Sequence, residues 1–299
     1  MLGALVALII AASIVYPGFL LPGNLQIMLT QYAPLGIVSV GMTLVILAGG
    51  FDLSVGAIFA GAAVVATSLS PQIGVIPATL IALVMGLALG VVNGTIVTVL
   101  GVNPFITTLG TSSLYSGAVL FISDSAAYTN TDESFMWLGN GSLVGIPLSL
   151  LCLGVVFIAG LVAMERMRFG RRIYAIGGSR EAARLSGIPV NLVQGGTYVI
   201  SGLLAAFAGV ITASQQGSGQ GAMGNSLALD AIAVVVIGGT SLRGGEGRMW
   251  KTAIGLLILA ILDNIFFSLA VDSNFQLVVK GAIVIVAVAG DQLLRRGRQ

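Results

Sequence analysis

One stretch of the sequence contains the residue types that bind phosphate in nucleotide-hydrolysing proteins. Residues 244–252 include three glycines, Lys251 and Thr252, and a phosphate loop uses glycines for close backbone approach and a lysine for its charge. However, Trp250 precedes Lys251, where that motif requires glycine. The stretch therefore predicts no nucleotide site, and any ATP that the protein uses must be bound by another chain.

Other catalytic and metal-binding chemistries lack the necessary residues. The chain has no histidine, which excludes a histidine-based proton relay, catalytic triad or metal site. The single cysteine, Cys152, lies in an apolar run and can form neither an intrachain disulfide nor a thiolate cluster. We therefore expect a chain that is not an enzyme and that binds no metal and no cofactor.

The composition predicts which elements hold these residues. Hydrophobic residues make up 57% of the 299 residues, and charged residues only 8%, against about a quarter in an ordinary soluble domain. The apolar runs are longer than the ~10 alternating residues of a membrane barrel strand. The sequence therefore predicts an all-α integral membrane protein, with residues 1–299 forming a single transmembrane domain, and excludes a soluble or disordered chain.

The basic residues predict the orientation of this domain. All 13 lie at or after Arg166, mostly in clusters at 166–184, 243–251 and 295–298. Short loops rich in lysine and arginine stay in the cytoplasm, so these clusters indicate orientation rather than a nucleic-acid site. With the clusters inside, both termini are cytoplasmic, 165–190 is a cytoplasmic loop and 123–145 is the largest periplasmic loop.

The apolar runs indicate about ten membrane spans. They lie near 1–15, 32–49, 54–70, 76–100, 104–122, 146–164, 191–213, 226–240, 251–270 and 275–290. Some are broken or half-spanning, since 226–240 has too few apolar residues before its glycine pair to cross a bilayer. Segments 45–56 and 235–245 look alike, which leaves open whether the chain contains an internal repeat or a chance similarity.

Glycines at a spacing of four predict close helix packing. Gly86, Gly90 and Gly94 share one face of the 76–100 span. Inside lipid, glycine allows helix backbones to approach closely. We expect this face to pack within the chain, with a subunit interface as the alternative.

The hydrophilic segment 165–190 predicts one short helix in its second part. Ser179 can cap the helix at its start, and Gly187 followed by Pro189 can end it. A two-turn helix is unstable alone, so the membrane domain or a docked partner must hold it. A solvated loop is the alternative.

Four segments resemble, in order, the motifs of bacterial ABC importer permeases for ribose and related simple sugars. They are GMTLVILAGGFDLSVG at 41–56, NPFITTLGT at 103–111, YAIGGSREAARLSGI at 174–188 and LDAIAVVVIGGTSLRGGEG at 229–247. The signature positions at the helix breaks are Gly49, Gly50, Asp52, Leu53, Ser54, Gly56, Gly238, Gly239, Gly244 and Gly245. Two departures, a Tyr115-Ser116-Gly117 run in place of a usual basic residue and Pro104 directly before Phe105, make transfer of one particular sugar unsafe.

The resemblance implies a division of labour between subunits in the bacterial inner membrane. Such permeases work with a second permease copy or paralogue, a periplasmic or lipid-anchored sugar-binding protein, and an ATPase with tandem nucleotide-binding domains that holds ATP and Mg²⁺. A coupling helix of the permease transmits the movement of the ATPase. Here it corresponds to Gly177, Gly178, Ser179, Arg180, Glu181, Ala182, Ala183, Arg184, Leu185, Ser186 and Gly187.

A sugar pathway needs hydrogen-bonding groups and aromatic faces. The candidates within the spans are Asn93, Phe105, Thr108, Asp230 and Asn264. Asp52 has two interpretations, a cap for the helix that follows or a role in transport.

Two further charged residues lie inside predicted spans. Asp263 and Lys280 occupy similar depths on successive antiparallel spans, which predicts an ion pair, because charges within a membrane are usually partnered. The alternative is that Lys280 extends outward to the interface.

Two other classes of protein compete with this interpretation. A secondary transporter driven by protons or sodium would need buried carboxylates and no ATPase-docking loop. A membrane enzyme would need a nucleophile and a base. Co-purification with an ATPase separates the importer from both.

Overall fold

The computed structural model describes residues 1–272, 274–283 and 285. Apolar stretches fold as helices because a segment in lipid must satisfy its backbone hydrogen bonds internally. The elements are α1 (Leu2–Val15), α2 (Pro22–Leu47), α3 (Val55–Ile73), α4 (Val75–Thr98), α5 (Pro104–Ile122), β1 (Tyr128–Thr129), α6 (Glu133–Asn140), β2 (Ser142–Leu143), β3 (Ile146–Pro147), α7 (Leu148–Glu165), α8 (Arg168–Gly178), α9 (Arg180–Leu185), α10 (Val190–Gln216), β4 (Ser218–Gly219), α11 (Leu227–Ile237) and α12 (Met249–Ser268). Residues 274–283 are also helical.

Seven helices of the described part of the chain are long and apolar enough to cross a membrane. They are α2, α3, α4, α5, α7, α10 and α12. The apolar helices α1 and α11 have 14 and 11 residues. At 1.5 Å per residue these are about 21 and 16 Å long, short of a ~30 Å hydrocarbon core. The predicted span 275–290 lies partly outside the described residues, so the total of about ten stays a prediction.

The start of α2 differs from the prediction. The helix begins at Pro22, ten residues before the predicted start at 32, because its first turns contain polar side chains that interrupt the apolar run. Two polar groups of these turns have partners within the bundle. The Asn24 amide donates to Asn264 Oδ1 at 3.2 Å, and the Gln215 amide donates to the Thr30 carbonyl at 3.2 Å.

The prediction of a single helix in 165–190 was incomplete. The structure has two helices there, α8 and α9, because Gly170, Ile173 and Ile176 of α8 recur at helical spacing and are buried against the bundle. The predicted coupling segment 177–187 is therefore divided. Gly177 and Gly178 end α8, Arg180–Leu185 is α9, and Ser186 and Gly187 follow it.

The long helix α10 forms the centre of the bundle and packs against α2, α3 and α4. Its contact with α4 depends on glycine. A Cβ on Gly90 would lie 2.5 Å from the Tyr198 carbonyl oxygen, and one on Gly94 would lie 2.9 Å from the Gly195 carbonyl oxygen. The glycine face of α4 therefore packs within the chain, as predicted.

The two ends of the bundle differ in structure. At one end, here called the loop end, β1 pairs antiparallel with β4, β2 pairs with β3, and α6 is fixed to α10 by a 2.7 Å hydrogen bond from Gly139 N to Ser214 Oγ. At the opposite end, here called the basic end, α2, α4 and α7 finish and α8, α9 and the loop 238–248 lie close together.

Candidate functional site

Three segments meet backbone to backbone at the basic end. The Gly245 N–H donates to the Leu47 carbonyl at 3.0 Å, which joins the loop 238–248 to the end of α2. A Cβ on Gly177 would overlap that same carbonyl oxygen, and a Cβ on Gly244 would lie 2.9 Å from Gly49 Cα. We call this contact of Gly49, Gly177, Gly244 and Gly245 the glycine junction.

Glycine is required in the junction for its conformation as well as for its size. Gly49, Gly244 and Gly245 have φ values of 78°, 85° and 71°, in the left-handed region that other residues adopt at a cost. The Tyr174 hydroxyl of α8 adds a 3.0 Å hydrogen bond to the Gly247 carbonyl. Burial, with a contribution from Glu165, raises the pKa of Tyr174, so its hydroxyl keeps the donated proton. The junction thus connects α8 to α2 and to the loop before α12.

Helix α9 projects from the basic end with one buried side. Ser179 Oγ accepts the Ala182 N–H at 3.2 Å and caps the helix, and Ala183 packs into the core. Arg180, Glu181 and Arg184 line a surface cleft of about 470 Å³ beside the end of α4. Leu185, 84% exposed, extends this surface with an apolar side chain whose exposure was not predicted.

A buried polar network surrounds the break between α2 and α3. The Asp52 carboxylate has no exposed surface and accepts hydrogen bonds from Ser54 N at 3.1 Å, Ser54 Oγ at 2.6 Å and Ser201 Oγ of α10 at 2.8 Å. Asn93 of α4 donates to Ser54 Oγ at 2.7 Å, and the Tyr115 hydroxyl of α5 donates to Asn93 Oδ1 at 3.3 Å. Asp52 therefore links the break to α10 and, through Ser54, to α4 and α5.

The interpretation of Asp52 as a helix cap is only partly correct, and its role in transport stays a prediction. Helix α3 begins at Val55, not at Leu53, so Asp52 accepts an N–H just before the helix rather than within its first turn. The buried carboxylate is a structural link between helices. The start of α3 also touches the segment before α11, since a Cβ on Gly56 would overlap the Gly224 carbonyl.

Replacing Ser201 with alanine is expected to lower the free energy of unfolding by about 1–2 kcal/mol, because Asp52 Oδ2 loses its hydroxyl donor in a buried position. Chemical unfolding in detergent measures this loss. Ser13→Ala is the matched control, since its hydroxyl donates to the Ile9 carbonyl of its own helix. Equal losses in both variants would contradict the role assigned to the network.

A second polar site lies between α2, α11 and α12. This polar cavity has a volume of about 180 Å³ and is lined by Gln31, Tyr32, Leu35, Leu227, Asp230, Leu259, Asp263 and Lys280. Lys280 Nζ lies 2.5 Å from Asp263 Oδ2, and the Tyr32 hydroxyl donates to the same oxygen. Asp263 Oδ1 is buried and has no hydrogen-bond partner among the described residues, so it can accept a further hydrogen bond.

Replacing Lys280 with methionine is expected to lower the free energy of unfolding by about 2 kcal/mol, less than for a fully buried pair because both side chains are partly exposed. The loss arises because Asp263 loses its counterion. The double variant Lys280→Met/Asp263→Leu should regain most of it in a double-mutant cycle. A double variant less stable than Lys280→Met would show that the pair is not the stabilising unit.

The five predicted pathway residues do not come together in the structure. Asp230 lines the polar cavity, and Asn264 lies beside it and exchanges hydrogen bonds with Asn24. Asn93 and Thr108 are fully buried elsewhere. Asn93 belongs to the Asp52 network, and Thr108 lies beside it, where its Oγ1 donates to the Phe51 carbonyl at 3.2 Å. Phe105 is half exposed at the start of α5.

Sequence reasoning missed two residues of the polar cavity, Gln31 and Tyr32. They lie at the edge of the predicted 32–49 span. Their signal was Pro22, since proline is favoured in the first turn of a helix and so indicates a helix that starts before them.

Comparison with known proteins identifies the class to which this architecture belongs. Residues 24–288 match the family described as the branched-chain amino acid transport system / permease component. The chain belongs to this family of membrane transport permeases. It is thus a transport subunit and a multi-pass protein of the inner membrane.

Individual relatives are sugar-transport permeases by name. The chain is 42% identical over 288 residues to the ribose import permease protein RbsC of Bacillus subtilis (strain 168), covering 95% of the chain and 89% of the relative. It is 40% identical over 293 residues to RbsC of Escherichia coli (strain K12), covering 96% and 91%. Identity to the D-allose transport system permease protein AlsC of Escherichia coli (strain K12) is 36% over 281 residues, covering 93% and 86%. No solved structure matches the chain. These matches confirm the family indicated by the four sequence motifs.

Proposed function

We propose that the chain is the transmembrane permease of an ATP-binding-cassette importer that moves a ribose-like sugar or related polyol into the cytoplasm. Similarity to ribose and allose permeases over at least 93% of the chain supports the sugar class. The single observation that carries the coupling mechanism is the glycine junction. It connects the surface helix α9, through α8, to the end of α2 and to the loop between α11 and α12.

The ATP chemistry is assigned to a partner. ATP and Mg²⁺ bind to an ATPase subunit with tandem nucleotide-binding domains, and this chain contributes α9 as its docking helix. Arg180, Glu181 and Arg184 contact the ATPase and set the docking orientation, since exposed charges contribute more to orientation than to affinity. Closure of the ATPase moves α9 and α8, and the backbone contacts of the junction transmit this movement to α2.

The polar cavity is the part of the pathway best suited to a sugar. Hydroxyl groups both donate and accept hydrogen bonds, and the cavity offers Gln31, Tyr32, Asp230 and the free Asp263 Oδ1. Lys280 forms an ion pair with Asp263, which balances its charge inside the protein. A volume of about 180 Å³ suits a monosaccharide better than the larger ligands that occupy pockets of roughly 300–1,000 Å³.

The remaining partners and the orientation follow from the same proposal. The basic end faces the cytoplasm because its loops contain the basic clusters at 166–184 and 243–251, so the N-terminus is cytoplasmic and loop 123–145 faces outward; the predicted cytoplasmic C-terminus lies outside the described residues. A periplasmic or lipid-anchored sugar-binding protein delivers the sugar at the loop end. A second permease, identical or paralogous, completes the pathway.

Reconstitution tests the substrate class. Vesicles containing this permease, its ATPase and its binding protein are supplied with labelled ribose, allose or leucine, and uptake is measured. We expect uptake of a sugar and none of leucine, the type of substrate named in the family's description. Uptake of leucine alone would overturn the proposed substrate class.

A further inference from the structure

An apolar crevice lies in the side of the bundle next to the basic end. Its volume is about 380 Å³, and all the side chains that line it are apolar. Four helices contribute, with Val40 and Leu44 from α2, Ala159 and Ala163 from α7, Phe169 from α8 and Ile200 from α10. A space of this kind in a membrane protein suits a hydrocarbon chain.

The position of the crevice along α7 places it within the bilayer. Helix α7 is long and apolar enough to cross a membrane, and most of its surface is not covered by the rest of the chain. Ala159 lies six residues before Glu165, the last residue of α7, which corresponds to about 9 Å along the helix. The crevice therefore occupies the half of the hydrocarbon core nearest the basic end.

Arginines are neighbours in sequence of the residues that line the crevice at its basic end. Two of its lining residues, Met167 and Phe169, alternate in sequence with Arg166 and Arg168, and Arg171 and Arg172 follow on the next turn of α8. All four arginines are exposed, and none of them forms an ion pair within the part of the chain that the structure describes. The buried residues of α8 hold this group in place against the bundle.

We propose that the crevice binds one acyl chain of an anionic phospholipid, with the arginines of α8 holding its phosphate. Arginine binds phosphate oxygens through charge-assisted, often bidentate hydrogen bonds. Basic pockets between transmembrane helices attract anionic headgroups through the same charges. The apolar crevice and the positive mouth together match the two parts of such a lipid.

The charges argue against other occupants. A second copy related by a twofold axis would place the same surface against itself, and so bring two sets of four arginines together. A soluble ATPase docked at the basic end cannot fill a crevice about 9 Å inside the hydrocarbon core. An anionic lipid meets both the charge and the depth.

Native mass spectrometry of the purified full-length chain tests the headgroup contact. Phosphatidylglycerol and phosphatidylcholine with identical acyl chains are titrated, and we expect tighter binding of phosphatidylglycerol. Arg168→Gln/Arg171→Gln should weaken phosphatidylglycerol binding about 25-fold, at roughly fivefold per arginine, and weaken phosphatidylcholine binding less, because the choline cation offsets the charge of its phosphate. Arg180→Gln/Arg184→Gln removes the same charge from a different cleft and should change neither affinity more than about twofold.

A second variant tests the crevice without changing the charge. Ala159→Phe fills the acyl-chain space and should weaken both lipids about tenfold, the effect of roughly two lost methylene contacts. Val155→Phe, on the exposed surface of α7 outside the crevice, is the control and should bind normally. Equal affinity for the two lipids, or equal losses in the two arginine pairs, would overturn the proposal. A disulfide between two Ala159→Cys chains in membranes would also overturn it, since a second copy would then cover the crevice.

Discussion

Sugar transport is expected to fall about ten- to a hundredfold when Gly177 is replaced by valine. The added side chain overlaps the Leu47 carbonyl and lies against Gly245, so α8 must move away from α2. Overpacking of this kind costs about 1–3 kcal/mol, and each 1.4 kcal/mol corresponds to about tenfold in rate if the strain opposes the coupled movement. ATP-driven uptake in vesicles measures the loss.

The neighbouring residue provides a matched control. A Cβ on Gly178 meets no atom within 4 Å, so Gly178→Val adds the same side chain at the same end of α8 without touching the junction. This control should transport normally, and Gly177→Val should still bind the ATPase because α9 is unchanged. Equal transport by the two variants would contradict the role of the junction.

Deletion of residues 179–187 is expected to abolish both transport and the stimulation of ATP hydrolysis by the binding protein. The deletion removes α9, which is the element that presents Arg180, Glu181 and Arg184 at the surface. Basal hydrolysis by the ATPase should continue, since no nucleotide site is assigned to the permease. Transport that survived the deletion would refute the coupling mechanism.

A charge-reversal pair separates loss of docking from loss of folding. Arg180→Glu/Arg184→Glu keeps α9 intact and should weaken ATPase binding about fivefold for each lost contact. Arg171→Glu/Arg172→Glu reverses two exposed charges of α8 and should bind the ATPase normally. Equal weakening by both pairs would show that overall charge, and not α9, determines docking.

The helical architecture and the family could be predicted because their signals are local. Apolar runs, the capping serine of α9 and the glycines of α4 at a spacing of four depend on residues close in sequence. The family signature was equally local, because the four motifs stand in a fixed order. The expected contact of Asp263 with Lys280 needed only depth along adjacent helices, and the structure places their charged atoms 2.5 Å apart.

The misjudged features depend on partners that are distant in sequence. The predicted start of α2 is too late because polar groups of its first turns find partners that are distant in sequence, Asn264 of α12 and Gln215 of α10. Helix α8 was missed because its arginines obscured a short buried face of Gly170, Ile173 and Ile176.

The five predicted pathway residues lie apart because their surroundings also depend on partners that are distant in sequence. Residue type alone does not distinguish Asn93 from Asp230. The Asn93 side chain is hydrogen-bonded within the Asp52 network, whereas Asp230 lines the polar cavity. The glycines of the signature motifs were identified, but their meeting point was not, because Gly49, Gly177 and Gly244 are far apart in sequence and converge only through the fold.

The energy source of uptake tests the central claim most directly. Sealed vesicles containing the permease, its ATPase and its binding protein are loaded either with ATP on the side of the basic end or with a proton or sodium gradient, and labelled sugar is measured over time. We predict accumulation against its gradient only with ATP, and none with an ATPase variant that binds but does not hydrolyse ATP. Accumulation driven by an ion gradient without ATP would show that the chain is a secondary transporter and contradict this account.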